Sequence, residues 1–333
     1  MPEKWTDKVA PELLEAQRRE FEQEHESILR HREQAKQLIS ELLAKDARIL
    51  IFDMTDGGLD ESSIDPELIH MLQEDQFGGR RMTYGENIRH FLGFDAGDPR
   101  AHIWDVPTED IDFSHLPYPD VWITTGGRAM PSMLHPGNET ESTPWLKRAV
   151  GAMNELATAR VPGLAICLGH QLWEYSRGAI VGQRHPSREF GTSTIHATPI
   201  GRQLQLLVGF WDDEGETEIS SSHSEGVITP PPASRSLEVI AFNNYSPYQA
   251  AAHALRPGQT VLEAQEELEL VHSIQNHPEI TAKLLRAIGI LRDDPMKKEN
   301  IDQALILLKN TPRPRNSLLN LIKLAAARYG KRK

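Results

Sequence analysis

The chain has 333 residues, a formal net charge of −12 and 39% hydrophobic residues. Its length suits roughly two units of about 150 residues each, and its acidic balance gives no electrostatic reason to expect nucleic acid as a partner. A single cysteine excludes an internal disulfide, no run nears the roughly 18 apolar residues of a membrane span, and the sequence is charged from Glu3 onward, so a reducing, cytoplasmic setting is expected.

Residues 1–46 read as a helix-rich arm that opens near Pro11 and runs through Glu41. Leu14, Phe21, Ile28, Ala35 and Leu42 recur every seven residues, with Leu38 and Ile39 thickening the stripe. Arg18, His25 and Arg32 occupy much of the place of a second apolar column, which favours a helix lying across the rest of the chain or a partner over a coiled-coil dimer.

A strand is expected at Ala47–Asp53, then a polar stretch from Thr55 to Gly58, a helix around Pro66–Gln73, and strands at His102–Asp105 and Val121–Thr124. A helix at Pro144–Ala159 leads to a strand at Gly163–Ile166 and a helix at His170–Arg177. This alternation predicts an α/β fold, a mainly parallel central sheet with helices on both faces and a site at the carboxyl ends of its strands. After Gly182 the segments turn short and β-rich, with Pro230-Pro231-Pro232 as a loop and a last strand at Leu268–Ile274. From about Ala282 the chain is helical again, with a stop at Asp293-Asp294-Pro295, a helix to Leu308, a Pro-Arg loop and a final helix from Ser317. That tail pairs Leu318, Leu321, Ile322 and Ala325 with Arg313, Arg315, Lys323, Arg328, Lys331, Arg332 and Lys333 and holds no acid. Such a basic amphipathic helix either packs by its apolar side or docks on an acidic partner or phosphate.

The lone Cys167 stands where the apolar run Gly163–Ile166 meets a helix start. Ala165 and Gly169, two residues before and after it, are small, as a strained strand-to-helix corner requires, so the layout is a nucleophile elbow with sulfur in place of oxygen. The first amides of the following helix and its dipole favour the thiolate. A base should stand elsewhere, held by a third group. His277 and Glu279 are two apart in Gln275-Asn276-His277-Pro278-Glu279, so in an extended segment they share a face while Pro278 keeps the backbone extended.

With the elbow string Cys167-Leu168-Gly169-His170-Gln171, the chain resembles class I glutamine amidotransferases, the Cys-His-Glu glutaminase module of enzymes such as GMP synthetase and carbamoyl-phosphate synthetase. Val121–Arg128 resembles the family's strand and Gly-Gly oxyanion loop. Ser222-His223-Ser224-Glu225 resembles its Ser-His-Gly-Asp segment, and Gln275–Glu279 is similar to its Gln-aromatic-His-Pro-Glu ending. The resemblance implies a flavodoxin-like catalytic domain over residues 47–282, between the arm 1–46 and a basic helical extension 283–333. It implies Cys167 as nucleophile, His277 as base and Glu279 as its orienter, with the backbone amides of Gly127 and Leu168 as oxyanion donors. Gln171, His223 and Ser224 would contact the substrate, and His170 would be a packed residue.

Two departures stand out. Arg128 follows the second glycine where the family commonly has proline, and Asn276 replaces the aromatic before the histidine, which should open or polarise the wall beside the base. There is no Gly-rich phosphate loop and no paired Cys or spaced His set, so no cofactor or metal is expected, and a synthetase that used the ammonia would be another chain. The implied activity is hydrolysis of the glutamine side-chain amide through a cysteinyl thioester, with ammonia passed to a separate acceptor enzyme. The alternatives are a partner-independent hydrolase of γ-glutamyl amides and a non-catalytic binding protein of the same fold.

Overall fold

The computed structural model describes residues 11–56, 64, 66–77, 79, 81–113, 117–185, 188–291 and 308–333. The expected stop at Asp293-Asp294-Pro295 and the helix after it lie outside them, as do Gly57 and Gly58. Eight α-helices are described: α1 (Pro11–Leu42), α2 (Pro66–Leu72), α3 (Tyr84–Phe91), α4 (Thr143–Thr158), α5 (Leu168–Ser176), α6 (Val261–Glu267), α7 (Ala282–Ile290) and α8 (Asn316–Arg332). None is long and apolar enough to cross a membrane.

The strands that carry the site are β1 (Ile49–Met54), β2 (Ala101–Asp105), β3 (Val121–Gly127), β4 (Gly163–Ile166) and, from far along the chain, β11 (Leu270–Ile274). They stand side by side in the order β2-β1-β3-β4-β11, each neighbouring pair parallel. Beyond β11 the same sheet continues antiparallel through β10 (Ala250–Ala254), β9 (Leu237–Phe242), β6 (Glu189–Ala197) and β7 (Glu216–His223). A separate antiparallel pair is formed by β5 (Ile180–Gln183) and β8 (Glu225–Thr229). The expected α/β architecture is therefore present, with a mixed sheet whose parallel half holds the site. The antiparallel half follows from the chain itself, since few helices intervene between Gly182 and β11 to serve as the long crossovers that parallel neighbours need.

Side chains alternate across β1. Ile49 and Ile51 face one core with Ile88 and Phe91 of α3, Ile28 and Ala35 of α1 and Leu318, Leu321 and Ile322 of α8. Leu50, Phe52 and Met54 face the other, with Trp104, Trp122, Trp173 and the apolar side of α4. The sheet is thus buried on both faces, as parallel strands require.

The arm lies across the sheet-flanking helices on the expected stripe, which shifts by one residue at its end. Phe21, Ile28, Ala35 and Ile39 are buried, whereas Leu42 is 47% exposed and Leu43 is buried in its place. A second column does exist, offset from the one sought: Gln17, Glu24 and His31 recur every seven residues and are all buried. A charge in the interior is costly unless it is paired. Here Glu24 and His31 have partners in the fold, His31 Nε2 lying 3.1 Å from the carbonyl oxygen of Phe91.

On α8 the apolar side is packed and the cations turn onto the chain itself. Arg328 donates to the carbonyl of Arg160, Lys331 to that of Glu266 and Arg332 to that of Tyr118, while Lys333 lies 3.5 Å from Asp46.

Three buried imidazoles make stability fall in acid. Burial holds His31 down to about 3, with the Arg315 charge adding to the effect, and holds His170 down to about 4 and His272 down to about 3. The unfolded chain takes up protons on these groups near pH 6.5 and the folded chain does not, so stability is lost as pH falls from about 6.5 towards 4. Three such groups give a slope of about 4 kcal/mol per pH unit near pH 5. Urea unfolding at stepped pH should show the midpoint dropping across this window, and a flat midpoint between pH 6.5 and 4.5 would contradict the assignment.

Candidate active site

Cys167 closes β4 and opens α5, with φ 49° and ψ −104°. This is a left-handed position for a non-glycine residue, a strain of about 1–3 kcal/mol that the surroundings must hold in place. The helix begins at Leu168, two residues earlier than the sequence suggests. Its start sits directly after the thiol, so Leu168 is the first helical residue. Crowding explains the small neighbours: a Cβ on Gly169 would stand 1.7 Å from Thr124 Oγ1 and 2.6 Å from Thr124 Cβ. The Cys167 N–H donates to the carbonyl of Ile274 at 2.8 Å, which ties the corner to the end of β11.

Three residues past that strand end stands His277. Its N–H donates to the Ser220 carbonyl at 2.8 Å in a single antiparallel bridge, and the chain then turns through Pro278 and Glu279 into α7. The segment is thus a bridge and a turn rather than the extended run expected. The turn nonetheless achieves the predicted pairing, with His277 Nδ1 donating to Glu279 Oε1 at 2.8 Å, both side chains buried. Burial opposes a charged imidazole here, but the charges of a Cys167 thiolate and of Glu279, with hydrogen bonds to both, carry His277 up to about 10. His277 thus stands between Cys167 on one side and Glu279 on the other.

Gly126 is pressed against this pair. A Cβ there would lie 2.5 Å from His277 Cε1 and 3.4 Å from Cys167 Cβ, so only glycine fits without moving the ring.

The thiol opens onto a cavity of about 280 Å³, also lined by Gly127, Leu168, Gln171, His223 and Ser224. All residues expected at the site converge there except His277 and Glu279, which lie behind the thiol. Gln171 is a wall residue: its Nε2 donates to the Glu225 carbonyl at 2.6 Å and to Gln275 Oε1 at 3.1 Å. His223 is likewise engaged within the wall, 2.9 Å from Glu189 Oε2 and with Nδ1 donating to the Glu225 carbonyl at 3.1 Å. The Glu225 carboxylate accepts from the N–H of Ser132 at 3.1 Å and from its hydroxyl. His170 is fully buried beneath this wall, away from the cavity lining, as a packed residue.

The wall beside His277 differs from the expected one. Asn276 neither opens nor polarises it: the side chain is buried and its Nδ2 donates to Ser221 Oγ at 2.6 Å. The wall is built by Tyr84 at the start of α3, whose ring stacks on His277 with centroids 6.0 Å apart and planes 29° from parallel. Tyr84 also lines the cavity, with Arg128, Arg188, Ile288 and Leu291. Burial, then the charges of Cys167 and Glu279, hold its phenol protonated well above the usual range. Nothing near Tyr84 in the sequence marks it, because its partner is 193 positions away. No group of three or more His, Cys, Asp or Glu side chains among the described residues is arranged to hold a metal ion.

Residues 129–288 match the family model described as glutamine amidotransferase class-I, a span that contains Cys167, His277 and Glu279. Over residues 129–288 the chain is similar to class I glutamine amidotransferases. The Gly126-Gly127 loop precedes the matched span and reaches Cys167 through space rather than through the match. The solved structure of SMU.1228c aligns over 84% of this chain and 99% of its own, with 17% identity and a TM-score of 0.53. A putative GMP synthase component from Thermoplasma acidophilum aligns over 86% of this chain and 98% of its own, with 17% identity and a TM-score of 0.50. At such identities the likeness is one of fold. No curated protein matches the sequence.

Proposed function

We propose that this amidotransferase domain hydrolyses the side-chain amide of glutamine through a thioester on Cys167 and delivers ammonia to a separate acceptor enzyme. The observation that carries this reading is the strained Cys167 corner in contact with His277, which is in turn bonded to Glu279.

In the proposed sequence the Cys167 thiolate adds to the amide carbon, forming a C–S bond and an oxyanion. The oxyanion is met by the backbone N–H groups of Gly127 and Leu168, donors fixed before the reaction and therefore effective at developing charge. The tetrahedral intermediate collapses, the C–N bond breaks, and the imidazolium of His277 gives its proton to the departing ammonia. Neutral His277 then takes a proton from water, whose oxygen attacks the thioester, releasing glutamate and restoring the thiolate–imidazolium pair. Glu279 holds the ring in the tautomer that faces Cys167 and stabilises the imidazolium. Gln171, His223 and Ser224 shape the cavity that receives the acyl part.

Ile288 and Leu291 in the cavity wall favour a second reading, a partner-independent hydrolase of γ-glutamyl amides, because free glutamine has no apolar end for them to cover. The two readings part on a simple assay. Purified protein is given glutamine or γ-glutamyl amides of apolar amines, alone and with ATP-dependent synthetases as candidate partners, and free ammonia or amine is measured with glutamate. Glutamine turnover that rises with a partner supports the first reading; partner-independent turnover of the substituted amides with little glutamine hydrolysis replaces it with the second. No turnover of either class under any condition would leave a binding protein.

A further inference from the structure

Glu24 of α1 and Arg315, just before α8, come from opposite ends of the chain and meet behind the site. Both are 0% exposed and lie 3.5 Å apart. The Glu24 carboxylate accepts from the N–H of Ala282 at 2.6 Å and from that of Lys283 at 3.2 Å, the first amides of α7. These are the amides three and four positions beyond Glu279. Arg315 in turn bonds Ser27 Oγ at 3.2 Å and Asn310 Oδ1 at 3.4 Å, and its guanidinium sits over the Phe91 ring at 5.4 Å.

The turn that holds Glu279 is thereby gripped at both ends. On one side Asn87 of α3 donates its Nδ2 to the Glu279 carbonyl at 2.9 Å. On the other, Glu24 caps the helix into which the turn runs, while the Thr281 side chain accepts from Leu284 N–H and from Gln76 Nε2. The capped helix also sends Ile288 into the cavity wall and is followed by Leu291 there. Neither Glu24 nor Arg315 lines the cavity. A buried ion pair is weak evidence for stability, because an apolar pair of similar volume often serves as well. A carboxylate on two helix-terminal amides does something an apolar pair cannot, which is to fix where the helix starts.

We propose that Glu24 and Arg315 are positioning residues for the His277–Glu279 turn and for the α7 wall, so that the two terminal extensions set the geometry of the catalytic base. The proposal rests on the reading of His277 as that base. Displacement of the α7 start by about 1 Å would carry Glu279 with it, and misplacement on that scale costs on the order of 10²-fold in rate.

The test uses the full chain with Glu24→Gln, which keeps the shape, and Arg315→Lys, which keeps the charge but not the planar fork. Each is compared with wild type for near-UV circular dichroism, for the pH profile of Cys167 alkylation by iodoacetamide, and for kcat and KM on the amide that wild type hydrolyses. Positioning predicts folded variants with kcat reduced about 10–100-fold at nearly constant KM and a shifted midpoint of the alkylation profile. Folded variants with the wild-type profile and kcat overturn it. Loss of fold in both conservative variants overturns it as well, by assigning the pair to stability alone. Alkylation reads the Cys167–His277 contact without substrate, so failure of wild type to hydrolyse any amide would remove the hydrolase reading and leave the positioning test intact.

Discussion

Glu279→Gln is expected to lower kcat for amide hydrolysis by on the order of 10⁴-fold with little change in KM. The carboxylate accepts the Nδ1 proton of His277 at 2.8 Å, which leaves Nε2 for the thiol and the leaving group. A carboxamide at this position can turn its NH₂ towards Nδ1 and select the opposite tautomer, leaving the proton on the wrong nitrogen. It also removes one of the charges that hold the buried imidazole up near 10. His277 should then lose its proton at lower pH, and the alkaline limb of the kcat profile should move down with it. The sign follows from the role: the proton is needed for ammonia to leave, so activity is lost as pH rises through the value for His277. A pH series of kcat on wild type and variant checks both parts. A variant within about tenfold of wild type would remove Glu279 from the mechanism.

Gly169→Ala should destabilise the fold by about 3 kcal/mol and lower Tm by about 5–10 °C. The added Cβ would meet both Oγ1 and Cβ of Thr124, at 1.7 Å and 2.6 Å, so rotating the threonine cannot clear it. Thr124 is in β3, flanked by β1 and β4, and its Oγ1 accepts from Ile166 N–H at 3.3 Å, which leaves the corner no room to retreat. Movement of α5 away from β3 would shift Leu168 and Cys167 together, so activity should fall along with stability. Calorimetry of Gly169→Ala and of Gly169→Ala with Thr124→Gly separates contact from strain. Relief of most of the loss by the second substitution is expected. Equal Tm values for Gly169→Ala and wild type would mean that the corner is not close-packed.

The parallel half of the fold was legible because each of its strands is a short apolar run bounded by polar turns, and β3, β4 and β11 were located to within a few residues. The start of the helix after Cys167 is not legible because its first residues, Leu168-Gly169, carry no capping signal: the residue before them is the strained cysteine itself. Cys167, His277 and Glu279 could be paired on paper because the histidine and acid are neighbours in sequence. Tyr84 could not, since only the packing of α3 across the sheet brings it to His277. The same limit hid the second column of α1. Gln17, Glu24 and His31 have the right period and the wrong polarity, and what makes Glu24 at home in the interior, Arg315 and two amides of α7, lies more than 250 residues away. Asn276 shows the same limit: the loss of an aromatic at one position is visible in a sequence, whereas a bond from the side chain to Ser221 is not.

In the proposed reaction Cys167 carries the acyl group. Ammonia release from the amide that the wild-type protein turns over, measured side by side with Cys167→Ala at equal concentration of folded protein, tests it most directly. The expected rate for the variant is indistinguishable from background. Equal rates for the two proteins would contradict it.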